Sequence, residues 1–154
     1  MKVLTLALAL LTVPHLASAA DPFIGTYKLN AVKSATSGGQ LPAEMRLTIS
    51  EEAGNLLIAT SGKTVSGAPI SADVLVVPKA GGTVKAPSGE RNYDATVVSR
   101  SNPNTIEVVA RQNGKDTARM TLALSQDGKT LTRSFKSTNA QGRPLTGTSV
   151  LERE

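Results

Sequence analysis

The sequence predicts an all-β protein, a single antiparallel up-and-down β-barrel of about 8–10 strands preceded by a removable leader. Three observations carry this. After residue 20, short segments rich in Val, Ile, Leu and Thr are cut at regular intervals by Gly, Asn, Asp or Pro turns. Within those segments apolar and polar residues alternate, the period of a strand with one face inward. Finally, only 31–43 and 62–69 are long connections, and Greek-key crossings need long ones, so a meander is the simpler path. Closing it into a barrel removes exposed edges and encloses a space.

Residues 1–20 read as a secretory signal peptide. Lys2 supplies the positive start, residues 3–13 are apolar apart from Thr5 and Thr12, Pro14 ends the run, and Ala17-Ser18-Ala19 offers the small residues a signal peptidase requires. Cleavage after Ala19 or after Ala20 fits equally well. The apolar run is shorter than the roughly 20 residues a membrane helix needs, and no later stretch is apolar enough for one. The expected product is residues 21–154, one domain exported to the periplasm or the extracellular space, with no integral membrane segment after cleavage.

Composition narrows the chemistry. There is no cysteine, and the one histidine, His15, belongs to the leader. Thiol nucleophiles, histidine bases and thiolate or imidazole metal sites are therefore excluded from the domain. The twelve carboxylates show no pairing that spacing alone establishes, and there is no Asp-rich calcium loop. No cofactor, no metal and no catalytic residue is expected, and a hydrolase or isomerase at a barrel mouth is the least favoured reading. The whole chain carries a net charge of +5; Lys2 is the leader's one Lys or Arg, so the domain retains about +4. Its basic residues run from Lys28 to Arg153 without a dense cluster, and Phe23, Tyr27, Tyr93 and Phe135 stand far apart. Nucleic acid binding wants clustered cations and stacking rings, so no nucleic acid partner is expected.

In chain order, residues 23–30 open the domain as a strand, and 31–42, rich in Ser, Gly and Pro, read as a loop with at most one helical turn at 31–34. Met45, Leu47 and Ile49 alternate with polar residues, residues 51–55 turn, and 56–60 return. Ile70, Ala72, Val74 and Val76 are expected on one face of a continuous strand, opposite Ser71, Asp73, Leu75 and Val77. A turn at 78–82, a short strand at 83–86, a turn at 87–89 and a strand at 93–100 follow. Asn102-Pro103-Asn104 turns, Ile106, Val108 and Ala110 alternate, and Asn113-Gly114 is the strongest hairpin signal because both residues accept a positive φ. Ala118, Met120, Leu122 and Leu124 make the inward face of the returning strand, with Arg119 towards solvent. Asp127-Gly128 turns, 130–137 is a strand, 139–142 turns, and 145–152 closes the barrel.

The opening Asp21-Pro22-Phe23-Ile24-Gly25-Thr26-Tyr27-Lys28-Leu29 resembles the start of calycins, the superfamily of lipocalins and fatty-acid-binding proteins, which commonly begin Phe-x-Gly-x-Trp-Lys-Leu. Tyr27 stands where the tryptophan would be. Val150-Leu151-Glu152-Arg153-Glu154 looks like the last strand of such barrels, and Asp127-Gly128-Lys129-Thr130-Leu131 is similar to a hairpin of small exported bacterial lipocalin-like proteins. The resemblance implies a lipocalin-like barrel and, in such barrels, a basic residue packed across the first-strand aromatic. Tyr27 and Arg153 would then form a cation–π latch between first and last strands. Two departures stand out. The segment at 31–43 is too short and too rich in Gly, Ser and Pro for the helical lid of fatty-acid-binding proteins. Their Arg-x-Tyr carboxylate clamp is also missing, since Arg133-Ser134-Phe135 keeps the spacing without the phenol.

Arg133 shares a strand face with Leu131 and Phe135. If that face points inward, its guanidinium suits an anionic headgroup; if outward, or at a mouth, it snorkels to water. Tyr93 either offers a hydroxyl to a ligand or ends a strand. The function expected is carriage of a small hydrophobic or amphipathic ligand inside the barrel. The alternative is a filled barrel acting as a protein-interaction or envelope-structural module; no feature of the sequence identifies a protein partner.

Overall fold

A computed structural model describes residues 20–71, 74–86, 93–138 and 142–154. They form eleven strands and, among the described residues, no helix: β1 (Gly25–Ser37), β2 (Glu44–Glu52), β3 (Asn55–Lys63), β4 (Pro69–Ser71), β5 (Leu75–Pro78), β6 (Gly82–Lys85), β7 (Ala95–Asn102), β8 (Thr105–Gln112), β9 (Lys115–Leu124), β10 (Thr130–Thr138) and β11 (Pro144–Arg153). The leader at 1–19, Ala72 and Asp73, the turn at 87–89 with Glu90, and Asn139-Ala140-Gln141 lie outside the described residues.

All pairings are antiparallel and all strands belong to one sheet, in the order β4-β3-β2-β1-β11-β10-β9-β8-β7-β6, with β5 also on β3. The expected meander is therefore present. First and last strands pair, Tyr27 opposite Arg153 and Leu29 opposite Leu151. Among the described residues β5 and β6 share no ladder, so the sheet curls round to an unpaired seam there.

Alternation does what the sequence asks of it. Along β2, Met45, Leu47 and Ile49 are buried while Glu44, Arg46, Thr48 and Ser50 are exposed. The Asn113-Gly114 hairpin has φ of 51° and 75°, both in the left-handed region. The turn at Ala53-Gly54 has the same shape, at 48° and 76°, with an alanine where Asn or Gly is favoured.

Three expectations need correction. Phe23 is not in the first strand: it sits in a turn, and β1 begins at Gly25. Nor is 31–42 a loop throughout, because β1 runs on to Ser37. Asn30 faces Val150 and Ala35 faces Thr148, so residues 31–34 bulge outward opposite Ser149. The Ser34 hydroxyl bridges the interruption, accepting from the Val150 amide at 2.9 Å and donating to the Asn30 carbonyl at 2.7 Å. A serine-rich stretch thus stays in the ladder by lending side-chain oxygen where backbone pairing lapses.

The third correction concerns 70–77. The single strand expected there is split into β4 and β5, which occupy one place beside β3. Ile70 pairs with Gly62 but Leu75 pairs with Ile58, a slip of one residue. One extra residue exchanges the two faces of a strand. Leu75 and Val77 therefore meet the core, whereas Val74 is exposed. Eleven strands thus fill ten places.

Candidate functional site

The barrel is packed at one end and hollow at the other. Turns at 53–54, 79–81, 103–104 and 126–128 lie at the packed end, where Phe23, Tyr27, Leu56, Val77, Ile106, Leu131 and Leu151 are completely buried. Two to four residues further along the same faces the side chains shrink or turn polar: Thr60 after Leu56 and Ile58, Thr96 before Val98, Ala110 after Val108, Ala118 before Leu122. There a cavity of about 350 Å³ opens, with Leu47, Ile58, Leu75, Val108 and Leu122 among the apolar residues of its wall. Its size lies within the roughly 300–1,000 Å³ range of small-molecule sites.

Arg133, Phe135 and Tyr93 all line this one cavity. The inward alternative for the Arg133 face is the one realised. Tyr93 lies just before β7, and Arg119, largely exposed at 68%, pairs with Asp116 on the rim. Phe135 is held against the wall by its cross-strand neighbour Gly147, where a β-carbon would come within 2.5 Å of the ring.

The electrostatics of Arg133 are unusual. Its Nε approaches Met120 Sδ at 3.2 Å and its Nη1 approaches Met45 Sδ at 3.8 Å, and the guanidinium lies 5.7 Å from the Phe135 ring centre. Thioether sulfur is a weak acceptor. Among the described residues no carboxylate pairs with Arg133, and none lines the cavity. Burial lowers its pKa, with desolvation the sole cause, yet an arginine stays cationic in proteins. A positive charge thus stands in a half-apolar hollow with only soft partners.

Tyr27 and Arg153 meet at the opposite, packed end, away from the cavity. Arg153 lies 4.8 Å over the Tyr27 ring and donates to its hydroxyl, to the Ile24 and Pro22 carbonyls at 2.7 Å each, and to Gly128 at 2.6 Å. The Tyr27 hydroxyl in turn donates to Phe23 at 3.0 Å. Burial raises the Tyr27 pKa, and Arg153 opposes that rise in part. Gly25 makes room for the guanidinium, since a β-carbon there would come within 2.5 Å of it.

Sequence reasoning missed a second arginine at this end. Arg100 Nη1 lies 2.6 Å from Asp21 Oδ2, the two side chains being 15% and 4% exposed, and the guanidinium stacks 5.4 Å from the Phe23 ring centre. Asp21 Oδ1 also accepts the Phe23 amide at 3.1 Å. Residues 21–24 thereby plug the barrel floor. The two thioethers on Arg133 were missed as well, although both methionines were assigned inward-facing positions by alternation. Among the described residues there is no group of three or more His, Asp or Glu side chains able to hold a metal ion.

No protein-family model matches the chain, and no curated protein matches it either. Solved structures do match. Zebrafish ileal bile acid-binding protein, crystallised with cholic acid, superposes with a TM-score of 0.52 at 11% identity, covering 86% of this chain and 99% of the other. At that identity the likeness speaks for architecture alone. With one antiparallel sheet wound in chain order and its first and last strands joined, the chain is a calycin-like up-and-down barrel.

Proposed function

We propose that this protein is an exported, non-enzymatic carrier of a small amphipathic molecule bearing an anionic headgroup. The observation that carries this reading is the Arg133 guanidinium, turned into a cavity of about 350 Å³ with no carboxylate beside it among the described residues. A half-buried cation without a counter-charge has lost part of its hydration, and a ligand carboxylate, sulfate or phosphate would supply the counter-charge through charge-assisted hydrogen bonds. The remainder of the ligand would lie along Leu47, Ile58, Leu75, Val108 and Phe135.

Magnitudes divide the work. Each buried methylene contributes about 0.8 kcal/mol, and a hydrogen bond to a charged group about 1.5–3 kcal/mol. A chain of more than about four methylenes therefore dominates affinity, and Arg133 decides orientation and class. Thr60, Thr96, Tyr93 and Ser137 on the wall allow additional polar contacts. The bound cholic acid of the zebrafish protein, an amphiphilic carboxylic acid, supports the same ligand class. Export rests on the signal-peptide pattern of residues 1–20.

The test compares a fatty carboxylate with the alcohol of equal chain length, by calorimetry or displacement of an apolar fluorophore. The carboxylate is expected to bind more tightly. Arg133→Met should weaken it about tenfold or more while changing the alcohol little. Native mass spectrometry of protein purified from its own source should show a retained anionic amphiphile. A barrel that retains nothing, takes up no apolar probe and treats acid and alcohol alike would overturn the carrier reading.

A further inference from the structure

Apart from Met1, the chain contains two methionines, Met45 and Met120, and both place sulfur against the same guanidinium. They come from strands far apart in sequence, Met45 on β2 and Met120 on β9. Met45 belongs to the buried core and Met120 packs against that core, which brings both sulfurs to one cation. Met120 is half-buried and lines the cavity, open to a small solute entering from the mouth, whereas Met45 is buried and does not line it.

We propose that Met120, with Met45 in support, is an oxidation site that switches off the cavity's preference for anions. The inference rests on the reading of Arg133 as the headgroup anchor. The oxidant is a hydroperoxide, hydrogen peroxide in the simplest case. The sulfur lone pair attacks one peroxide oxygen, the O–O bond breaks, an S–O bond forms, and the departing hydroxide takes up the remaining proton as water. Sulfur loses two electrons and the peroxide gains them. The thioether, a weak acceptor, becomes a sulfoxide whose oxygen is strongly polar. From Met120 Sδ, 3.2 Å from Arg133 Nε, that oxygen is within reach of the guanidinium. Arg133 then has an internal partner, and an incoming anion must displace it. Sulfoxide reductases reverse the change.

The experiment uses the folded protein, treated with hydrogen peroxide and checked by peptide mass spectrometry, with decanoate and decan-1-ol as probes. Sulfoxide is expected at Met120 before Met45. The affinity ratio of decanoate to decanol should fall about tenfold on oxidation. In the Met45→Leu/Met120→Leu double variant the ratio before and after peroxide should be the same, whatever its absolute value. Met120→Gln, which carries an amide oxygen at similar reach, should show the lowered ratio without peroxide. Without any ligand, oxidation should shift the Arg133 Nε–H resonance and slow its exchange with solvent. If untreated protein shows no preference for decanoate but this resonance shifts, the headgroup reading fails and the oxidation contact stands. Sulfoxide at Met120 with an unmoved Arg133 resonance and an unchanged ratio overturns the switch, as does a folded protein in which peroxide leaves both methionines intact.

Discussion

The two ends of the barrel treat arginine in opposite ways. At the packed end Arg100 has a buried carboxylate and an aromatic face, and Arg153 has three carbonyls, a hydroxyl and a ring. At the hollow end Arg133 has two sulfurs and a phenyl ring. The same residue type is a rivet in one place and an open valence in the other. Among the described residues the two packed-end cations have oxygen partners and the hollow-end one has none, and the proposed binding site rests on that difference.

Substitutions at matched positions test that contrast. Arg100→Met is expected to have the largest effect on stability, a loss of about 3–5 kcal/mol in chemical denaturation, because it strands the Asp21 carboxylate in the barrel floor. Arg153→Met should cost about 2 kcal/mol, less because its hydrogen bonds are largely exposed to water. Arg133→Met should go the other way, leaving stability unchanged or raising it by about 1 kcal/mol, since among the described residues no counter-ion is left behind. A large loss of stability from Arg133→Met would erase the distinction between the ends.

The two similar hairpin turns give a smaller comparison. Ala53 at the packed end and Asn113 at the open end adopt nearly the same positive φ. Ala53→Asn should stabilise by about 0.5–1 kcal/mol and Asn113→Ala should cost a similar amount, read as shifts in denaturation midpoint. The last effect is one of pH. Tyr27 has a raised pKa in the folded state, first from burial, so its contribution to stability is complete below the ordinary phenol value of 10.0 and is lost as pH rises through the folded value. In a Tyr93→Phe background, ultraviolet titration should place phenolate formation at Tyr27 above pH 10.0, and Arg153→Met should move it further up, because Arg153 holds it down.

Alternation and turn chemistry revealed most of this architecture in advance. Met45-Leu47-Ile49 and Leu122-Leu124 declare their inward faces by period alone, and Asn113-Gly114 declares its hairpin by the backbone freedom of its residues. What stayed hidden depends on partners remote in sequence. The bulge at 31–34 is held in register by Val150, and the slip between β4 and β5 shows only against β3. The site was half visible. Arg133 and Phe135 share a face at spacing two, but whether that face meets a hollow depends on how much Thr60, Thr96 and Ala110 leave unfilled across the barrel. Asp21 and Arg100 are 79 residues apart, and nothing local to either announces the other.

Asp21 is bound to Arg100 and the Glu154 amide donates to the Thr26 carbonyl at 2.9 Å, so residues 21 and 154 are both moored on the floor. Anything fused to either one, whether a tether, a reporter or a surface linkage, departs from the side opposite the aperture. A molecule immobilised through residue 21 or 154 would present the cavity mouth outward.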